Sequence, residues 1–128
     1  MAIYTNLPIY RASYSLLLDV TRTMTNVPRD CRYTLGQDLR RKLTDIILLI
    51  YRANRTRQKV KTISLMRETL LEAQVYIRLM SDMHYISERK YAALAEQTAG
   101  MSKQMAMWEK SERMKEKNNG EPDGDTGD

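Results

Sequence analysis

Apolar residues recur along this chain in steps of three and four, the spacing of one face of an α-helix. Four segments show it. In the first, Tyr10, Tyr14, Leu17 and Met24 lie in phase, and Leu16 and Val20 widen the stripe. Pro8 suits a first helical turn. Asn26-Val27-Pro28-Arg29-Asp30 supplies turn residues, so a helix is predicted over about 8–25. In the second, Leu35, Leu39, Leu43, Ile46 and Ile50 follow Thr34, a suitable N-cap, and the helix is predicted to end near Asn54. In the third, Ile63, Met66, Leu70, Ala73, Ile77 and Met80 mark a helix from about Lys61 to His84. In the fourth, Tyr91, Leu94, Thr98, Met101, Met105 and Trp108 follow Ser87, a second N-cap candidate. The fold class expected is all-α, an antiparallel up-down four-helix bundle, because four amphipathic helices on short connections can bury their stripes that way. Residues 1–7 read as an irregular lead-in, 8–117 as the bundle and 118–128 as a tail. That tail has no Val, Ile, Leu, Met or aromatic residue to bury and is expected to be disordered. An alternative has its carboxylates folding over the basic surface.

The second helix is too apolar for this scheme. From Ile46 to Tyr51 every residue is apolar, whereas a bundle helix needs one stripe about 100° wide. Leu48 and Leu49 leave the stripe and need cover. One reading is a helix buried under the lead-in or the first helix; the other is a surface for self-association. Leu16-Leu17-Leu18 repeats the pattern in smaller form. The expected oligomer contacts are therefore Leu48, Leu49, Tyr51, Leu16 and Leu18. The same run is the longest wholly apolar one, and its six residues fall far short of the ~20 that span a bilayer, so no membrane contact is expected. No basic n-region with an apolar h-region opens the chain. Cys31 is the single cysteine, which excludes an intrachain disulfide and fits a reducing cytoplasm.

Charge changes the picture more than composition does. The chain carries +5 overall, but from Arg11 to Arg67 there are thirteen basic and four acidic residues, a net of +9. The stretch from Glu109 to Asp128 has four basic and seven acidic residues, a net of −3. A cationic first half calls for an anionic partner, most often nucleic acid. Arg40-Arg41-Lys42 fan around the second helix in steps of 100°, so they cannot all meet one ligand. Arg52, Arg55, Arg57, Lys59 and Lys61 are denser and sit at one bundle end, where they can neutralise phosphates and release counterions; the alternative is a solvated connection. No helix-turn-helix or basic zipper is present, so weak sequence selectivity is expected. There are eight Tyr and no Phe. Tyrosine can stack on unpaired bases, though most of these lie on apolar stripes and read as core or interface.

The sequence offers no enzyme. His84 is the single histidine and reads as a helix C-terminal residue. Cys31 lies between Arg29 and Arg32, which would lower its pKa, but no base accompanies it. No Cys/His set has metal-ligand spacing, no cofactor is expected, and Gly36 and Gly100 stand alone rather than in a phosphate-cradling loop. Asp38 and Asp45 share a face but are surrounded by Arg40, Arg41 and Lys42, and read as surface ion pairs.

Several residues carry a family resemblance. Tyr33-Thr34-Leu35-Gly36-Gln37-Asp38-Leu39-Arg40 and Ala53-Asn54, then Arg78-Leu79, Asp82-Met83, Ile86-Ser87, Tyr91 and Trp108, resemble the accessory variability determinant proteins of diversity-generating retroelements, in order and spacing over about residues 8–113. The layout is also similar to the wider group of four-helix-bundle proteins encoded in ribosomal RNA intervening sequences. The resemblance, closest to phage-borne members, implies a homopentameric, basic barrel in the bacterial host cytoplasm. It implies a reverse transcriptase as partner, contact with template RNA or its cDNA, and support of mutagenic retrohoming, without an active site. With it, Arg78 joins Arg40, Arg41, Lys42 and the Arg52–Lys61 cluster as a candidate binding residue. Three positions, at two places, depart from the family pattern. Arg52 stands where an acidic residue often precedes Ala-Asn, and Ala106-Met107 stand where Gly-Gly often precedes the tryptophan. The competing function is a structural oligomer that binds only protein, and a further one is a ribosomal-RNA-associated protein.

Overall fold

A computed structural model describes residues 3–119 of the chain. Its elements are α1 (Pro8–Thr23), a single-turn α2 (Arg29–Arg32), α3 (Leu35–Ala53), α4 (Lys59–Asp82) and α5 (Glu88–Asn119), with 3₁₀ turns at Tyr4–Asn6 and Met24–Asn26. Four long helices therefore share one core, and no strand occurs among the described residues. The tail expected from Asn118 lies outside the described residues beyond Asn119; Asn118 and Asn119 themselves continue α5.

The predicted stripes of the third and fourth helices are the buried ones. Ile63, Met66, Leu70, Ala73, Ile77 and Met80 are all buried in α4, as are Leu94, Thr98, Met101 and Met105 in α5. Tyr91 and Trp108 pack half-buried against this core. Burying each such aliphatic side chain contributes about 1.5–3 kcal/mol. In α1 the stripe is displaced by one position: Ile9, Ser13, Leu16, Val20 and Thr23 face inward, while Tyr14 is half exposed. Two of these are hydroxyl residues that satisfy themselves. Ser13 Oγ donates to Ile9 O at 2.7 Å and Thr23 Oγ1 to Asp19 O at 2.8 Å, so each occupies a seam position without an orphaned donor.

The connections have distinct devices. After α1, Arg32 reaches back, its Nε donating to Met24 O at 2.9 Å and its Nη2 to Val27 O at 3.3 Å. Thr34 precedes α3 but does not cap it through its side chain; the hydroxyl donates to Asp30 O instead. A Cβ at Gly36 would meet Met24 Sδ at 2.3 Å, so this glycine serves the close packing of α3 on the α1–α3 connection. Cys31 beneath it is fully buried, and burial pushes its thiol pKa up, against the lowering expected from Arg29 and Arg32. At the end of α4, His84 N donates to Ser81 O and Tyr85 N to Met80 O, both at 2.9 Å, with His84 at φ 62°. This is a Schellman closure, with histidine where glycine is usual. Ser87 then caps α5, its Oγ accepting from Lys90 N at 3.0 Å.

Ion pairs tie the helices together. Lys42 Nζ meets Glu72 at 3.2 Å, and Asp19 accepts from Lys90 at 3.1 Å and from Gln97 at 2.9 Å. Glu109, 7% exposed, accepts from Arg67 at 2.6 Å and from Arg113 at 2.9 Å. Burial alone would raise the Glu109 carboxyl, but the hydrogen bonds and charges of the two arginines outweigh it and hold its pKa below the usual carboxylate range. A carboxyl depressed in the fold stabilises above its unfolded pKa, and that stabilisation is lost as pH falls through the depressed value. Circular-dichroism melts across acid pH are expected to show a falling midpoint below the carboxylate range. Glu109→Gln should lower stability at neutral pH and flatten part of that fall; an unchanged acid slope would show that Glu109 is not coupled.

Candidate nucleic-acid interface

The inward stripe of α3 decides what it shows to solvent. Leu39, Leu43, Ile46, Leu49, Ile50 and Ala53 are buried. Steps of 100° then place Arg41, Thr44, Leu48, Tyr51 and Arg52 on the outer ridge, and all five are exposed. The ridge runs on into the α3–α4 turn, where Arg55 and Arg57 are exposed, and Lys61 is exposed on the first turn of α4. Arg55 is anchored. Its guanidinium lies 5.3 Å from the centroid of the Tyr51 ring, and Nη1 donates to the Tyr51 hydroxyl at 2.8 Å. Among the described residues, Arg41, Arg52, Arg57 and Lys61 have no ion pair, so their charge is available to a ligand.

Lys59 differs from its neighbours. The basic connection expected as far as Lys61 is shorter, because α4 begins at Lys59. Lys59 is half-buried, and its Nζ donates to Ala53 O at 2.8 Å, closing the C-terminus of α3. Burial pushes its ammonium pKa down, with Glu112 opposing and Lys115 adding. It is a positioning residue for the turn rather than a member of the exposed cluster.

The other basic candidates separate. Arg40 and Arg41 line a depression of about 460 Å³ between α1 and α3, together with Leu17, Thr21, Gln37, Thr44 and Asp45. Arg40 Nε is buried there without a hydrogen-bond partner. Lys42 turns the other way and is engaged by Glu72 of α4. Asp38 and Asp45, expected to pair with these cations, form no ion pair among the described residues. Arg78 pairs with Asp82 at 3.2 Å near the far end of α4, about 26 Å along the helix from Lys61 at 1.5 Å per residue. The structure thus joins Arg52, Arg55, Arg57 and Lys61, continues them through Arg41, and leaves Arg78 apart.

The apolar candidates also divide. Leu16 is 0% exposed and Leu49 9%, so both are taken up by the core and neither can meet another copy. Leu49 sits about 80° from the centre of the α3 stripe, at its margin, and the stripe is wide because α3 packs on both α1 and α4. Leu18, Leu48 and Tyr51 are exposed. A larger apolar surface escaped the sequence reading: Leu71, Val75, Leu79 and Met83 form a second stripe along the outside of α4, with Leu65 beside it. Their four-residue spacing was the available signal, masked by the stronger core stripe on the same helix.

Lys59→Gln is expected to lower stability by about 1 kcal/mol, through the freed carbonyl of α3. Arg57→Gln should leave the melting midpoint unchanged and weaken nucleic-acid binding. Paired melts and binding isotherms check both; the reverse pattern would put Lys59 in the interface. No described helix is long and apolar enough to cross a membrane. No protein-family model matches the sequence, and no curated protein sequence matches it.

Proposed function

We propose that this protein is a non-catalytic accessory subunit of a retroelement reverse transcriptase, in the cytoplasm of a phage-bearing bacterial host. It binds the transcriptase and nucleic acid, the template RNA or its cDNA, and so supports mutagenic retrohoming and diversification of a target gene. The transcriptase enters through the resemblance carried by the 33–40 segment, Ala53-Asn54 and the α4–α5 junction. One observation carries the nucleic-acid part: Arg52, Arg55, Arg57 and Lys61 converge, exposed, on one end of the helices. Such a cluster gains from neutralising phosphates and releasing counterions, without reading sequence.

The same reading gives the helices an antiparallel, up-down order. The pairs Arg67–Glu109 and Gln74–Thr98 between α4 and α5, and Lys42–Glu72 and Ala53–Lys59 between α3 and α4, support it, since residue numbers rise on one helix as they fall on the next. It also makes the protein a ring, the homopentameric barrel of the family. A ring needs two different faces in contact. The α4 stripe supplies one. Leu18, on the outside of α1, supplies the other. That stripe is also the observation favouring the second reading, an oligomer that binds only protein.

The quadruple Gln variant at Arg52, Arg55, Arg57 and Lys61 separates the two. It should bind RNA weakly, with the slope of log affinity against log salt reduced by about 3, while still capturing the transcriptase. RNA binding unchanged in a folded variant sinks the nucleic-acid assignment; loss of transcriptase binding alone favours the protein-only reading. Sedimentation tests the assembly: Val75→Glu should give monomers where the native chain gives a larger species. A native monomer at micromolar concentration, or an intact assembly in the variant, removes this surface.

A further inference from the structure

Four tyrosine rings lie in a row across the α1–α3 face. Tyr4 meets Tyr10 with ring centroids 5.3 Å apart and Tyr51 edge-on at 5.1 Å, and Tyr10 meets Tyr14 at 6.1 Å. The two ends of the row face solvent: Tyr14 is 50% and Tyr51 42% exposed. Exposure of two large rings forgoes burial that the fold could use. Tyr51 is nevertheless fixed in place by Arg55 and Tyr4. On the same ridge, Leu48 is exposed between Arg41 and Arg52, which stand about 16 Å apart along α3.

We infer that this face binds an unpaired nucleic-acid strand, with bases stacked on Tyr14 and Tyr51 and phosphates held by Arg41, Arg52 and Arg55. The inference rests on the nucleic-acid reading above and narrows it from phosphate recognition to a single-stranded ligand. A duplex keeps its bases stacked on one another and offers this face only its backbone, which uses the arginines and leaves the rings and Leu48 against a charged surface. A strand with splayed bases uses both. Pressing the same face of a second copy against it would bring arginines onto arginines, which like-charge repulsion opposes. Stacking on aromatic rings accepts any base, in keeping with a surface whose polar contacts aim at phosphates.

The test is fluorescence anisotropy of the full chain with labelled oligouridylate and with an RNA duplex of equal length, at matched salt. The single strand should bind about 10-fold tighter or better. Tyr14→Leu with Tyr51→Leu keeps apolar bulk and removes the rings; it should lower single-strand affinity about 10-fold per ring, leaving duplex affinity and the salt slope unchanged. Melting curves and Trp108 emission report whether the variant folds. If it does not, Tyr51→Phe is the second variant, since it keeps the ring and loses the hydroxyl bonded to Arg55; it should keep the native preference for the single strand, and loss of that preference places the contact on the hydroxyl instead of a stacked ring and overturns the inference. Equal native affinity for strand and duplex, or equal losses for both in the Leu variant, overturns the inference while leaving phosphate binding intact. Binding to neither fails the underlying nucleic-acid reading as well. Displacement of the strand by polyglutamate beyond the effect of its ionic strength assigns the face to an acidic protein segment and overturns the inference.

Discussion

Leu39, Leu43, Ile46 and Ile50 of α3 are essentially sealed from solvent, and much else follows from that burial. α3 packs on α1 along one flank and on α4 along the other, so its orientation about its own axis is tightly held. Once these four side chains point inward, helical geometry leaves no choice about the ridge behind them. Arg41, Leu48, Tyr51 and Arg52 must face water together. The exposed ridge is thus a product of the core: no separate device is needed to gather its residues, and none of them can be withdrawn without rotating the helix out of its seam.

Ion pairs refine an arrangement that burial has already chosen. Glu109 is the informative case. A carboxylate this deep is costly to desolvate and is kept because Arg67 from α4 and Arg113 from its own helix both reach it. It locks the register of α5 on α4 near the basic end. Asp19 does the same for α1 and α5 at the opposite end, through Lys90 and Gln97. Each clamp joins neighbouring helices across a seam whose apolar contacts tolerate sliding, particularly where methionine is abundant, as at Met101 and Met105.

Much of the fold was legible because α4 and α5 carry apolar side chains at nearly every seam position. α1 was misread by one position because Ser13 and Thr23 occupy the seam with hydroxyls bonded to their own helix, which a hydrophobicity pattern cannot show. Leu16 and Leu49 looked surplus for the related reason that each helix touches two neighbours and buries a wider arc than one stripe. The exposed cations were legible from density of charge alone. The exception of Lys59 was not, since its role depends on the Ala53 carbonyl lying within its reach. Nor was the tyrosine row, whose members come from three elements and meet only in the folded chain. Arg32 was read only as a charge beside Cys31, and Gly36 only as an isolated glycine within the resemblance, although one braces and the other admits the packing at the start of α3.

Helix α5 is 32 residues long, against 24 in α4. Its final turns run past Glu109 alongside the first turn of α4, where Glu112 and Lys115 both act on the Lys59 ammonium. That brings Glu112 and Lys115 into electrostatic reach of the residue that closes the turn carrying the basic cluster, where charges closer than a Debye length of about 8 Å at physiological salt are not screened from one another. The turn and this part of α5 are electrically one region although the sequence separates them by some fifty residues. The strength of the cationic end is therefore set jointly by the α3–α4 turn and by whatever charge α5 presents beside it. A change of charge at Glu112 or Lys115 retunes that potential without touching any residue of the ridge.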